Sequence, residues 1–159
     1  MTTSTERPAL WKVITCAALL VGTLDISDAF IFYSLRGVTP IRILQGIASG
    51  VLGRAAFTMG RRSALLGLFF HFFIAFSATT VFLFAARKLN LGRRPFLYGA
   101  LFGVALYIVM NYIVLPTSKI GPRPTPPLVP LINGVAALVF CIGIPLAFIA
   151  RRYIPKQIT

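Results

Sequence analysis

Four long apolar runs, each about the length that crosses a bilayer as a helix, leave this chain few ways to fold. They cover residues 11–35, 63–86, 95–115 and 128–150, and basic residues gather at their ends. A backbone inside hydrocarbon must satisfy its own hydrogen bonds, so each run is expected to be a helix. The expected fold is therefore all-α: an integral membrane four-helix bundle forming a single transmembrane domain over residues 1–159. Composition agrees. With 57% hydrophobic residues and a mean hydropathy of +0.85, the polar groups of 159 residues are too few to cover the apolar surface in water.

The formal charge of +13 arises from 16 Lys and Arg against three acids, a balance that in a soluble chain suggests nucleic acid. Here the cations stand at the edges of the apolar runs, as Arg36, Arg61, Arg62, Arg87, Lys88, Arg93, Arg94, Arg151 and Arg152. Long basic side chains at such positions reach the headgroup layer, so anionic lipid is the expected partner and nucleic acid is not.

Between the first two spans, residues 40–57 read as an additional amphipathic helix lying in the membrane interface. At 100° per residue, Leu44, Ile47, Ala48, Val51, Leu52 and Ala55 share one face, and Arg42, Gln45 and Ser49 the other. A re-entrant segment is the competing reading, but the apolar stretch is too brief to span and ends in Arg54. Residues 116–127 hold five prolines and are expected to be an extended, stiff connector. Pro145 is expected to kink the last helix.

With four crossings, both termini share one side with the loop RKLNLGRR, and that side carries nine Lys or Arg against seven on the other. The denser cluster places both termini in the cytoplasm. Ser27-Asp28-Ala29 loosely resembles a signal-peptide cleavage site, yet the apolar pattern resumes directly in AFIFYSL, so the first run is read as a span. Cys16 and Cys141 fall within spans and read as small buried apolar residues, with no metal-site spacing.

One polar constellation lies inside the spans. Asp25 and Asp28 sit one turn apart on a face of the first helix shared with Ala18, Gly22 and Ala29. Gly67, His71, Ala75 and Ala78 or Thr79 form a similar stripe on the second span, and Gly99, Gly103, Tyr107 and Asn111 on the third. Counting from span midpoints, Asp25 and His71 both lie about 3 to 5 Å to the non-cytoplasmic side, where they could meet. Asp28, Asn111 and Asn133 lie about 7 to 9 Å out on the same side. Such groups either hydrogen-bond across helices or line a polar cavity where Asp25 and His71 exchange protons or hold a small ligand.

Catalysis and cofactors find little footing. A single histidine excludes bis-histidine haem within one chain, leaving His71 at most one axial ligand. The span serines Ser27, Ser34 and Ser77 carry no nucleophile-elbow motif. No enzyme, cofactor or metal is expected.

The stretches GTLDISDAF, PIRILQGIASGVLGRAAF and LGLFFHFFIAFSATTVFLFA resemble a group of small bacterial inner-membrane proteins with four predicted helices. The resemblance covers residues 22–86 and implies a stand-alone four-helix chain in a bacterial inner membrane. It implies no activity and no site residue. The leading expectation for function is accordingly a non-catalytic accessory or scaffold subunit, self-assembled or packed against other membrane subunits. The alternatives are a proton-linked channel, transporter or pH-stress protein using Asp25, Asp28 and His71, and a lipid or pigment binder using the helix at 40–57.

Overall fold

In a computed structural model, which describes residues 8–89, 91–122, 124 and 126–153, the chain forms five helices. Four are long and apolar enough to cross a membrane: α1 (Leu10–Ser34), α3 (Arg61–Leu89), α4 (Pro95–Thr117) and α5 (Leu128–Tyr153). The fifth, α2 (Pro40–Leu52), is the additional short helix between the first two spans. At 25 residues α1 is about 37 Å long, ample for a hydrocarbon layer of about 30 Å. The bundle displays Leu20, Phe69, Phe73, Phe76, Leu101, Ile113, Ile132 and Phe140 outward, a surface suited to lipid chains rather than water.

Local chemistry sets the helix limits. Gly37, at φ 80°, ends α1 in a Schellman turn, with Val38 N–H donating to the Tyr33 carbonyl and Gly37 N–H to that of Ser34. Thr39 then caps α2 by accepting from Arg42 N–H, and Pro40 takes the first helical position, where its missing N–H costs nothing. Gly53, at φ 62°, stops α2 at Leu52, short of the expected 57, and Gly53–Phe57 continues as a 3-10 turn.

The packing of α2 departs from the expected one. Gln45, Ala48 and Ser49 are its buried residues, while Val51 and Ala55 are exposed. Gln45 and Ser49 of the expected polar side therefore face inward together with Ala48 of the apolar side, while Arg42 stays exposed. In apolar surroundings the favourable place for an amide is against another polar group, and Gln45 Nε2 donates to the Gly60 carbonyl at 3.0 Å. Ser49 Oγ donates back to the Gly46 carbonyl within the helix. Contact is close because Gly67 of α3 lies directly beneath the Leu44 carbonyl.

A dry core occupies the half of the bundle nearest the described chain ends. Val13, Ile14, Ala17 and Val21 of α1 meet Phe82, Leu83 and Ala86 of α3, with Ile142, Leu146, Ala147 and Ala150 of α5. Helix α4 packs chiefly on α5, where a Cβ on Gly99 would stand 2.6 Å from Ile144 Cα and one on Gly103 2.5 Å from Val139 Cα. The GALFG stripe is thus a backbone-to-backbone seam with α5.

Both α4 and α5 carry a wide π-helical turn, Met110–Val114 and Leu138–Gly143, each just before a proline, Pro116 or Pro145. A helical proline has no N–H and its ring strikes the carbonyl four residues earlier, here Tyr112 or Cys141. Both carbonyls fall within the widened turns, which accommodate that conflict. The connector is not extended throughout: its first residues complete α4, and Ser118–Gly121 make a turn whose Lys119 N–H donates to the Gly50 carbonyl of α2. Arg123 and Thr125 lie outside the described residues. Cys141 is half-buried, but Cys16 is exposed, because the inward face of α1 is taken by Val13, Ala17 and Val21.

Candidate functional site

The half of the bundle that carries α2 and the α4–α5 connector is not filled. On α1, steps of four residues put Asp25, Ala29 and Tyr33 on one face, with Asp28 beside them. Asn133 comes from the first turns of α5, and Tyr107 and Asn111 from the far half of α4. Together they line an unsealed polar cleft of about 440 Å³, over which Pro122, Pro124 and Pro126 of the connector lie. Gly134 makes room for the Tyr107 ring, since a Cβ there would stand 2.9 Å from Tyr107 Cε2.

Within the cleft Asn133 Nδ2 donates to Asp28 Oδ2 at 2.9 Å, joining the first and last spans. Asn111 instead donates to the Tyr107 carbonyl of its own helix at 3.0 Å, so its side chain does not cross to a neighbour. Asp25 has no side-chain hydrogen bond among the described residues. Asp25 and Asp28 are the only acids described, and none of the described residues lining the cleft is basic.

A second, apolar cavity of about 640 Å³ adjoins the first and is bounded by all five helices. Ile43 and Ile47 of α2 face it from one side, Ile74 of α3 and Met110 of α4 from others, and Arg42 stands on its margin. Asp25, Ala29, Tyr33, Leu115 and Leu138 belong to both linings. Asp25 is the only charged group of that shared wall.

His71 lines the apolar cavity with Asp25, as the depth count suggested, but its bond goes elsewhere. Nε2 lies 2.8 Å from the Gly22 carbonyl oxygen. A carbonyl only accepts, so Nε2 carries the hydrogen and that nitrogen is occupied. An axial-ligand role through Nε2 would require breaking this bond. Among the described residues no group of three or more His, Cys, Asp or Glu is placed to hold a metal ion.

The expected cluster is therefore partly assembled. Asp25, Asp28, Asn111 and Asn133 line one cleft, and His71 joins Asp25 on the other side of it. Tyr33 and Leu138 were not singled out beforehand, although Tyr33 lies two four-residue steps beyond Asp25. The nine cations Arg36, Arg61, Arg62, Arg87, Lys88, Arg93, Arg94, Arg151 and Arg152 are all exposed at helix ends. Arg36 folds back on its own helix, donating to the Phe32 carbonyl with its guanidinium 3.6 Å from the Phe32 ring centre.

Compared with protein-family models, curated proteins and solved structures, the chain finds no match.

Proposed function

We propose that this protein is a non-catalytic, multi-pass membrane protein that binds a small amphiphilic cation, its charged group on Asp25 and Asp28 and its apolar part in the adjoining cavity. The observation that carries this reading is the position of Asp25 on the wall shared by a polar and an apolar space. A carboxylate without a partner is costly beside hydrocarbon, and a cation brought with its own apolar group offsets that cost on both sides. Tyr33, Tyr107 and Tyr112 around the cleft suit a cation as well, because aromatic faces attract positive charge.

The dry core beyond the cavities supports binding over conduction, since Phe82, Leu83 and Leu146 fill the path toward the chain ends. The outward phenylalanines of α3 suit lipid chains as well as a partner subunit, so the accessory-subunit reading has no observation of its own. We place the protein in a bacterial inner membrane, with anionic lipid around its cations and both termini in the cytoplasm. The dense cation cluster of the RKLNLGRR loop supports that orientation.

Tetraphenylphosphonium and tetraphenylborate, alike in size and opposite in charge, test the reading by titration of the protein in nanodiscs. The phosphonium is expected to bind and the borate not, with Asp25→Asn weakening the phosphonium by about tenfold or more, equivalent to about 1.4 kcal/mol. Equal binding of both ions, or no effect of Asp25→Asn, would overturn it.

A further inference from the structure

The two cavities differ in how they are bounded, and the difference bears on where a ligand comes from. Helix α4 packs on α5 and makes no extended contact with α1, α2 or α3. Between α3 and α4 the rings of Phe82 and Phe102 meet, with centres 4.8 Å apart, at the level of the dry core, against which Leu106 of α4 also packs. Beyond that level the apolar cavity has Ile74 of α3 and Met110 of α4 in its lining, and Gly50, also in the lining, accepts from Lys119 N–H of the connector. Phe69 and Phe73 of α3 and Ile113 of α4 are exposed on the outside of the two helices that bound the cavity there.

The glycines of α2 add a second observation. A glycine inside a helix costs about 0.5–1 kcal/mol relative to alanine, so it calls for a packing reason. Gly22, Gly67, Gly99, Gly103, Gly134 and Gly143 have one, since a Cβ at each would strike a neighbour. Gly46 has none: nothing lies within 4 Å of the place its Cβ would take, and Gly50 meets only Ser118 Cβ at 3.9 Å. Both border the apolar cavity, one turn apart. They leave a smooth strip of helix backbone beside an unfilled space.

We infer that the apolar part of the ligand is a single alkyl chain that enters from the bilayer between α3 and α4 and lies along the Gly46 and Gly50 strip of α2. The ligand class is then a single-chain amphiphile with an ammonium head. Its charge reaches Asp25 at the inner end of the same cavity, and its chain leaves one hydrocarbon environment for another. This inference rests on the cationic site proposed above and adds the ligand's shape and its route.

An alkyltrimethylammonium carrying a diazirine at its chain end, mixed into vesicles with the full-length protein, tests it. After illumination, mass spectrometry is expected to find adducts on Ile43, Ile47 and Met110. Gly46→Leu, which projects into the cavity, is expected to reduce those adducts about tenfold, with Met110→Trp giving the same loss from the opposite wall. Adducts confined to outward residues such as Phe69 and Phe73, or cavity adducts that survive both substitutions, would overturn the inference. If the tail tags only the outside while tetraphenylphosphonium still binds in an Asp25-dependent way, the chain seat fails and the cationic site stands. If neither binds, the cationic site has failed first.

Discussion

Asn133 and Asp28 stand 105 positions apart in sequence, yet the Asn133 amide donates to the Asp28 carboxylate at 2.9 Å. The bond ties the first turns of α5 to the last turns of α1 on the wall of the cleft. In a double-mutant cycle of Asp28→Ala and Asn133→Ala, each of which removes one partner, unfolding of the purified protein in mild detergent is expected to give a coupling of about 0.6 kcal/mol, up to about 1.7. A coupling near zero would mean that the two side chains do not hold these helices together.

Asp25 and His71 share a cavity but not a bond, and they are expected to behave differently. Nε2 of His71 donates to the Gly22 carbonyl, tying α3 to α1. His71→Leu is expected to cost about 1 kcal/mol through loss of that bond, whether residue 25 is Asp or Asn. Because the two share a cavity but no bond, the coupling between His71→Leu and Asp25→Asn is expected at the low end for neighbours, about 0.5 kcal/mol. A larger value, read in the same unfolding titration, would indicate an ion pair.

What the sequence made legible follows from which forces leave a mark on it. Spans expected at 11–35, 63–86, 95–115 and 128–150 appear as Leu10–Ser34, Arg61–Leu89, Pro95–Thr117 and Leu128–Tyr153, because length and apolarity are read directly from residues. Gly22, Gly67, Gly99 and Gly103 of the small-residue stripes are buried at helix contacts. Partners were harder to read. His71 chose a backbone carbonyl, which every residue carries and no residue type announces. Gln45 and Ser49 face inward beside Ala48 because backbone carbonyls accept from them there, so a helical wheel drawn for an interface places Arg42 and Ala48 correctly but not these two. Pro145 signalled a disturbance, but not its form, a π-helical turn over Leu138–Gly143 in place of a simple kink.

The seat of α2 on α3 offers a further prediction. Gly67 lies so close under the Leu44 carbonyl that any Cβ must push α2 away, and Gln45 would then lose the Gly60 carbonyl. Gly67→Ala is expected to destabilise the protein by about 1–3 kcal/mol. Gln45→Leu, which leaves the helix seated but the Gly60 carbonyl without that donor, is expected to cost about 1 kcal/mol. Cysteine accessibility at residue 48, buried in the native chain, distinguishes them: an Ala48→Cys thiol should become reactive with Gly67→Ala and stay protected with Gln45→Leu.

Two helical glycines separate close packing from unused space most sharply. Gly143 of α5 abuts the Gly99 carbonyl of α4, and its Cβ would also stand 3.1 Å from Gly103 N, so rigid backbone blocks every direction of relief. Gly143→Ala is expected to cost about 1–3 kcal/mol and to loosen α4, the helix with the fewest other neighbours. Gly46→Ala meets nothing within 4 Å and removes backbone freedom from the unfolded chain, so it is expected to stabilise by about 0.4–1 kcal/mol. Thermal or denaturant unfolding in one detergent reads both signs. If Gly46→Ala destabilised as Gly143→Ala does, the space beside α2 would be filled in the folded protein, and the apolar cavity would not exist as described.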